Sequence, residues 1–182
     1  INKQVKVTNQ FVHSVSSYTQ GLEFYDGMLF ESTGQYGTSF IAEVDVNSGD
    51  IIRKVDLQAT YFGEGITILD STIYQITWQA GLCKTYDLNF NPKGEFSYVG
   101  QGWGLTNNGK SIIMSNGSDR IVWRDPATFQ VTKEIQVFSN ESSFVNINEL
   151  ELIGNRLYAN IYTDDLIVEI DTANGKVLSQ ID

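Results

Sequence analysis

The 182-residue chain carries a net charge of −10, with 12 Lys and Arg against 22 Asp and Glu, and lacks the basic cluster that nucleic-acid binding needs. No apolar run approaches the ~18–20 residues of a membrane span. A single cysteine, Cys83, and a single histidine, His13, exclude an internal disulfide, a cysteine-built zinc site, a multi-histidine metal site and a histidine triad, so no metal or other cofactor is expected.

Residues 3–12, Lys-Gln-Val-Lys-Val-Thr-Asn-Gln-Phe-Val, read as one leading strand. Four similar units follow. The first, 21–57, has strands either side of the turn Asp26-Gly27, a strong hairpin signal between apolar runs, and a later turn at Asn47 to Asp50. The second, 65–99, turns at Asp70-Ser71 and at Asn91 to Gly94. The third, 104–138, turns at Asn107 to Gly109 and Pro126 to Thr128. The fourth, 148–182, turns at Gly154-Asn155 and Ala173 to Gly175. Each unit predicts four antiparallel strands. No window holds a 3.6-residue apolar period free of turn signals, so no long helix is expected.

The units open alike, at Gln20-Gly-Leu, Glu64-Gly-Ile, Trp103-Gly-Leu and Asn148-Glu-Leu, 39 to 45 residues apart. A strand-built repeat of this length predicts an all-β fold, a β-propeller forming one domain over 1–182. The leading strand is surplus to four complete blades. It implies a fifth blade, incomplete in this chain, whose remainder is cleaved, supplied as a separate chain or never encoded; the alternative is a closed four-bladed ring with that strand added outside. A partner chain filling the gap is a further possibility.

An Asp closes the third strand of every unit, at Asp45, Asp87, Asp125 and Asp171. An Asx-type turn explains it better than a ring of metal ligands, because these positions lie at the outer hairpins, too far apart to share an ion. Cys83 falls in a third strand and is expected to be a buried small hydrophobe.

The innermost strand of a blade starts at the channel mouth. Gln20, Glu64, Trp103 and Asn148 should therefore ring one mouth, with Tyr18, Phe62, Trp78 and Tyr162 as aromatic walls. One carboxyl among amides and rings suits a small polar ligand, and enclosure disfavours its charged form, as a proton shuttle requires. The same residues also fit polar filling of the channel and packing of the blade. Glu31 and Glu151 read as structural. Glu149 stands out because it replaces the glycine of the other repeats.

At these residues the chain resembles the plant and bacterial type of glutaminyl-peptide cyclotransferase. The matching segments are Tyr-Thr-Gln-Gly-Leu-Glu-Phe (18–24), Leu-Phe-Glu-Ser-Thr-Gly-Gln-Tyr-Gly (29–37), Tyr-Phe-Gly-Glu-Gly-Ile-Thr (61–67), Gln-Ile-Thr-Trp (75–78), Gly-Trp-Gly-Leu-Thr (102–106), Ser-Asn-Gly-Ser (115–118), Asn-Glu-Leu-Glu (148–151) and Ala-Asn-Ile-Tyr-Thr-Asp (159–164). The resemblance implies a five-bladed propeller that converts the N-terminal glutamine of peptides and proteins to pyroglutamate, releasing ammonia without a metal. It implies that Glu64 is the general acid and base, that Gln20 and Asn148 hold the substrate, and that Phe62, Trp78 and Trp103 form an aromatic pocket. Tyr18 and Tyr162 stand where the family often has Phe and Trp. The family's last blade, which supplies a lysine to the site, follows the segment at which this chain ends. A non-catalytic binding module or a structural subunit of the same ancestry is the alternative. The expected location is secreted or periplasmic, with the leader not part of this chain; Asn116-Gly-Ser and Asn140-Glu-Ser would be glycan sites only in a eukaryotic secreted protein.

Overall fold

The computed structural model describes residues 2–140 and 142–181, and these contain strands and turns but no helix. The ends of the expected domain, Ile1 and Asp182, and Glu141 in the second glycan triplet lie outside the described residues. Strand β1 is Asn2–Lys3. Blade one holds β2 (Thr19–Tyr25), β3 (Met28–Thr33), β4 (Phe40–Val44) and β5 (Ile51–Asp56). Blade two holds β6 (Gly63–Leu69), β7 (Thr72–Thr77), β8 (Leu82–Asp87) and β9 (Pro92–Ser97). Blade three holds β10 (Leu105–Asn107), β11 (Ile112–Ser115), β12 (Arg120–Arg124) and β13 (Val131–Gln136). A short hairpin, β14 (Phe138–Ser139) with β15 (Ser142–Ser143), leads into blade four, with β16 (Ile147–Ile153), β17 (Arg156–Ile161), β18 (Ile167–Asp171) and β19 (Val177–Ile181). Each blade is an antiparallel meander, and the four make a β-propeller.

The turn residues explain the meanders. Asp26 and Gly27 both have positive φ, 50° and 79°, the conformation of a two-residue turn whose twist matches the strands it joins. At the outer hairpins the four aspartates accept backbone N–H groups: Asp45 Oδ1 from Asn47 and Ser48, Asp87 Oδ1 from Asn89 and Asn91, Asp125 Oδ1 from Ala127 and Thr128, Asp171 Oδ1 from Ala173. They are turn caps.

The core lies between neighbouring blades. Phe30 and Ile41 of blade one pack with Ile66, Ile68 and Ile73 of blade two. Ile76 and the buried Cys83 meet Leu105, Ile112 and Met114 of blade three. Ile113, Ile121 and Trp123 meet Leu150, Leu157, Ala159 and Val168 of blade four. Burying side chains of this size contributes about 1.5–3 kcal/mol each. The inner strands therefore follow one another as β2, β6, β10 and β16.

The leading strand departs from expectation. Only Asn2–Lys3 is strand, pairing in parallel with β19 at the outer edge of blade four; residues 4–18 form none. Alternation alone does not make a strand where no sheet edge lies alongside, and Val5, Val7, Phe11 and Val12 stay 56–67% exposed. Lys3 Nζ donates to Glu169 Oε2 at 2.5 Å, which anchors the pair. Between β16 and β2 lies a cleft of about 550 Å³, lined by residues that include Leu22, Phe24, Leu150 and Ile167. The fifth blade of the expectation is not among the blades described.

Candidate active site

The inner strands are irregular where the site begins. The pairing register of β2 with β3 shifts between Thr19 and Gly21, that of β6 with β7 between Gly63 and Ile66, and that of β16 with β17 between Ile147 and Leu150. Gln20, Glu64 and Asn148 fall inside these irregularities. A bulge re-aims the side chain it carries. In blade three Trp103 precedes the strand, and its N–H donates to the Ser115 carbonyl at 3.1 Å.

These side chains meet. Tyr18, Gln20, Phe62, Glu64, Trp78, Trp103, Asn148 and Tyr162 line one pocket of about 220 Å³, together with Gln35. The repeat thus brings all eight residues singled out in the sequence to one place. Glu64 is buried, at 5% exposure, whereas Tyr18 and Tyr162 form a half-exposed rim at 48% and 49%. Phe62 takes Tyr18, Tyr36 and Trp78 in edge-to-face contact at 5.5–6.2 Å, and Trp103 takes Tyr162 at 5.4 Å. Such pairs fix ring orientation. Glycines make room for the rings: a Cβ at Gly34 would lie 2.3 Å from Phe62 Cε1, and one at Gly117 2.5 Å from Trp103 Cζ2.

Hydrogen bonds between blades hold the site backbone. The Ser32 hydroxyl donates to the Glu64 carbonyl, and Gln75 Nε2 donates to Ser32 Oγ at 2.8 Å. The Gly63 N–H donates to Ser39 Oγ at 3.0 Å. Ser115 Oγ donates to the Asn148 carbonyl at 2.7 Å and accepts the Gly104 N–H at 2.7 Å. Sequence reasoning missed these serines, because a serine on a second strand, like Ser32 or Ser115, or in a loop, like Ser39, looks like any polar residue until its partner in the next blade is known. It also missed Gln101, whose Oε1 accepts both indole N–H groups, Trp78 Nε1 at 2.8 Å and Trp103 Nε1 at 2.9 Å. Gln101→Leu removes the shared acceptor, so tryptophan emission should shift, while Gln101→Glu, which keeps an acceptor, should leave it in place. Equal spectra for the wild type and Gln101→Leu would show that the bridge does not orient the rings.

Burial pushes the Glu64 carboxyl up to about 9. Glu23, desolvated and near Glu151, is pushed up to about 7. Glu149 is raised well above the usual carboxylate range, first by burial and then by the charges of Glu64, Glu23 and Glu151. Both its oxygens are shut off from solvent without a hydrogen-bond partner, and leaving them neutral is the cheapest state. Glu31 is buried too, but accepts Thr19 Oγ1 at 2.6 Å and lies 3.0 Å from His13 Nε2, consistent with the structural role expected for it. Among the described residues no group of His, Cys, Asp and Glu could hold a metal ion.

These carboxyls set a pH dependence of stability. In the unfolded chain they lose their protons near 4.5, whereas Glu23 and Glu64 keep theirs to about 7 and about 9 when folded. In that window the folded state binds more protons, so rising pH favours unfolding. The thermal midpoint should fall from pH 5 to pH 9, and Glu149→Gln, which fixes a neutral side chain, should flatten the slope. A midpoint that rises over this range would contradict the buried protonated carboxyls.

The pocket therefore offers one buried carboxyl, three carboxamides and a wall of rings. Comparison with known proteins points the same way. A family described as glutamine cyclotransferase matches residues 2–182. The chain is 38% identical to a glutaminyl-peptide cyclotransferase of Arabidopsis thaliana, over 98% of this chain and 57% of that protein, so it spans little more than half the length of this relative. The crystal structure of Myxococcus xanthus glutaminyl cyclase superposes with a TM-score of 0.93 at 28% identity, covering 100% of this chain and 78% of that one. The Neurospora crassa Pan2 WD40 domain, at 16% identity and a TM-score of 0.62 over 89% of this chain and 51% of that one, shares the propeller fold alone.

Proposed function

Because the chain belongs to the glutamine cyclotransferase family, we propose that its pocket converts the N-terminal glutamine of a peptide to pyroglutamate. The observation that carries this reading is the convergence of Glu64, Gln20, Asn148 and the aromatic rings on one small pocket. Its volume, about 220 Å³, lies below the ~300–1,000 Å³ of sites for drug-sized ligands and suits a single folded-back residue.

In the reaction the α-amine nitrogen attacks the side-chain amide carbon, a ring C–N bond forms, and the bond to the amide nitrogen breaks. Glu64 accepts the proton of the attacking amine and delivers one to the leaving nitrogen, which departs as ammonia; the carboxyl ends as it began. Gln20 and Asn148 hold the substrate amide and amine by hydrogen bonds. Phe62, Trp78 and Trp103 pack the methylene chain, with Tyr18 and Tyr162 at the rim. Cyclisation is intramolecular, so holding the near-attack conformer and moving one proton is the whole task, and no metal is called for. The natural substrates on this reading are peptides and proteins that begin with glutamine, met in a secreted or periplasmic setting.

The test is ammonia release from a dipeptide with N-terminal glutamine, matched by an equal yield of the pyroglutamyl product. Absence of both would remove the catalytic reading and leave a binding module. A pH prediction follows from proton sharing. The productive complex holds one proton between amine and Glu64. The amine ordinarily titrates at ~7.7–8.0 and the Glu64 carboxyl at about 9. kcat/KM should rise through the first value and fall through the second, peaking between them. A peak below pH 6 would contradict a carboxyl raised by burial.

A further inference from the structure

One polar residue lines the pocket without a part in the chemistry. Gln35 sits in the loop between β3 and β4, exposed at the outer side of the same pocket. Its φ is 92°, a conformation that residues other than glycine seldom adopt and that persists only where surroundings impose it. The surroundings here do so. The Gln35 carbonyl accepts Ser39 Oγ at 2.7 Å and the Ser39 N–H at 3.0 Å, and Ser39 Oγ in turn accepts the Gly63 N–H beside Glu64. On the near side Gly34 rests against the Phe62 ring, and Tyr36 meets that ring edge to face at 5.5 Å. The loop is thereby tied to the strand that carries Glu64, and its strained residue is presented at the pocket.

We infer that Gln35 determines specificity by hydrogen-bonding the substrate main chain just beyond the reacting glutamine; this rests on the cyclotransferase reading. Gln20 and Asn148 are half-buried within the pocket, so Gln35 is the outermost of its three carboxamides. A peptide leaving the pocket passes the exposed rim of Tyr18, Tyr36 and Tyr162. A carboxamide offers two donors and one acceptor, the complement of a peptide bond's C=O and N–H. A neutral group reads main chain rather than charge, so residues of any side chain at the second position are accepted.

The experiment compares glutaminamide, which has no second residue, with the tripeptide amide Gln-Ala-Ala-NH2. Both are turned over by the wild type, Gln35→Gly and Gln35→Asn. In Gln35→Gly the tripeptide KM should rise about 5- to 10-fold, the worth of a neutral hydrogen bond or slightly more. Its kcat should hold, as should both constants for glutaminamide. The thermal midpoint should hold or rise, because glycine relaxes the positive φ. Gln35→Asn, with a carboxamide and tolerance of positive φ, should recover part of the lost affinity. An equal KM rise for both substrates, or none for either, overturns the role of Gln35. Failure of the wild type to turn over either substrate overturns the cyclotransferase reading on which it rests.

Discussion

Glu64→Gln should lower kcat by about 10²–10⁴-fold, the usual contribution of a positioned general acid and base, and leave KM within about twofold. Glutamine keeps the shape and the polar atoms of glutamate, so the pocket and its aromatic walls stay as they are. What disappears is the one carboxyl among the described residues lining the pocket, and with it the proposed carrier of the proton from the attacking amine to the leaving nitrogen. The folded state should not suffer. The wild-type carboxyl is buried and held neutral, with a proton retained to about 9; a neutral amide removes the cost of ionising there, so the thermal midpoint above pH 8 should match or exceed that of the wild type. The alkaline fall of kcat/KM should vanish with the carboxyl. A variant with full kcat would show that the proton passes elsewhere, with Glu149 as the next carboxyl to test.

Gly65→Ala should lower the thermal midpoint by about 2–12 °C. The inner strands of blades two and three meet backbone to backbone. The Gly65 N–H donates to the Trp103 carbonyl at 2.7 Å, and a Cβ on Gly65 would lie 2.5 Å from the Leu105 nitrogen and 2.8 Å from the Trp103 oxygen. Nothing there is a flexible side-chain end that can swing aside. Overpacking of this kind costs about 1–3 kcal/mol, at ~2–4 °C per kcal/mol for a chain of this size. The same change draws Trp103 away from Glu64, so KM should rise as well. A midpoint within about 1 °C of the wild type, the effect of a fraction of a kcal/mol, would show that the strands have slack. The repeat explains why the fourth such position differs. Gly21, Gly65 and Gly104 each face the inner strand of the next blade at 2.3–2.8 Å from a would-be Cβ, whereas Glu149 lies between β16 and β2, where its side chain turns in against Gly21 and both carboxyl oxygens stay shut off from solvent.

Much of this was legible in the chain. Four similar openings gave the blades, the Asp-Gly and Asn-Gly turns gave the hairpins, and the start of each inner strand marked a residue of the pocket. Those signals are local or periodic, and both survive in a sequence. What could not be read depends on partners far along the chain. Residues 3–12 alternate like a strand, but strand formation needs a free edge, and only Asn2 and Lys3 find one at Gln180 and Ile181. Gln101 gives no sign of the two indoles it joins. Ser32, Ser39 and Ser115 matter through atoms in other blades or loops. Gln35 lies within a segment that carries the family resemblance, yet its left-handed backbone follows from the packing of its loop on Phe62 and Ser39, which no propensity encodes. Glu149 did leave a mark, since a carboxylate in a column of glycines breaks the repeat.

The reaction class is tested most directly by mass spectrometry on one peptide in two forms, Gln-Ala-Ala with a free amine and the same peptide acetylated at that amine. Cyclisation needs the free amine as nucleophile; hydrolysis of the side-chain amide does not. The free peptide should lose one ammonia and resist aminopeptidase, the acetylated one should be unchanged, and Glu64→Gln should slow the first by at least about 10²-fold. Ammonia release from the acetylated peptide, or none from either, would contradict a cyclotransferase.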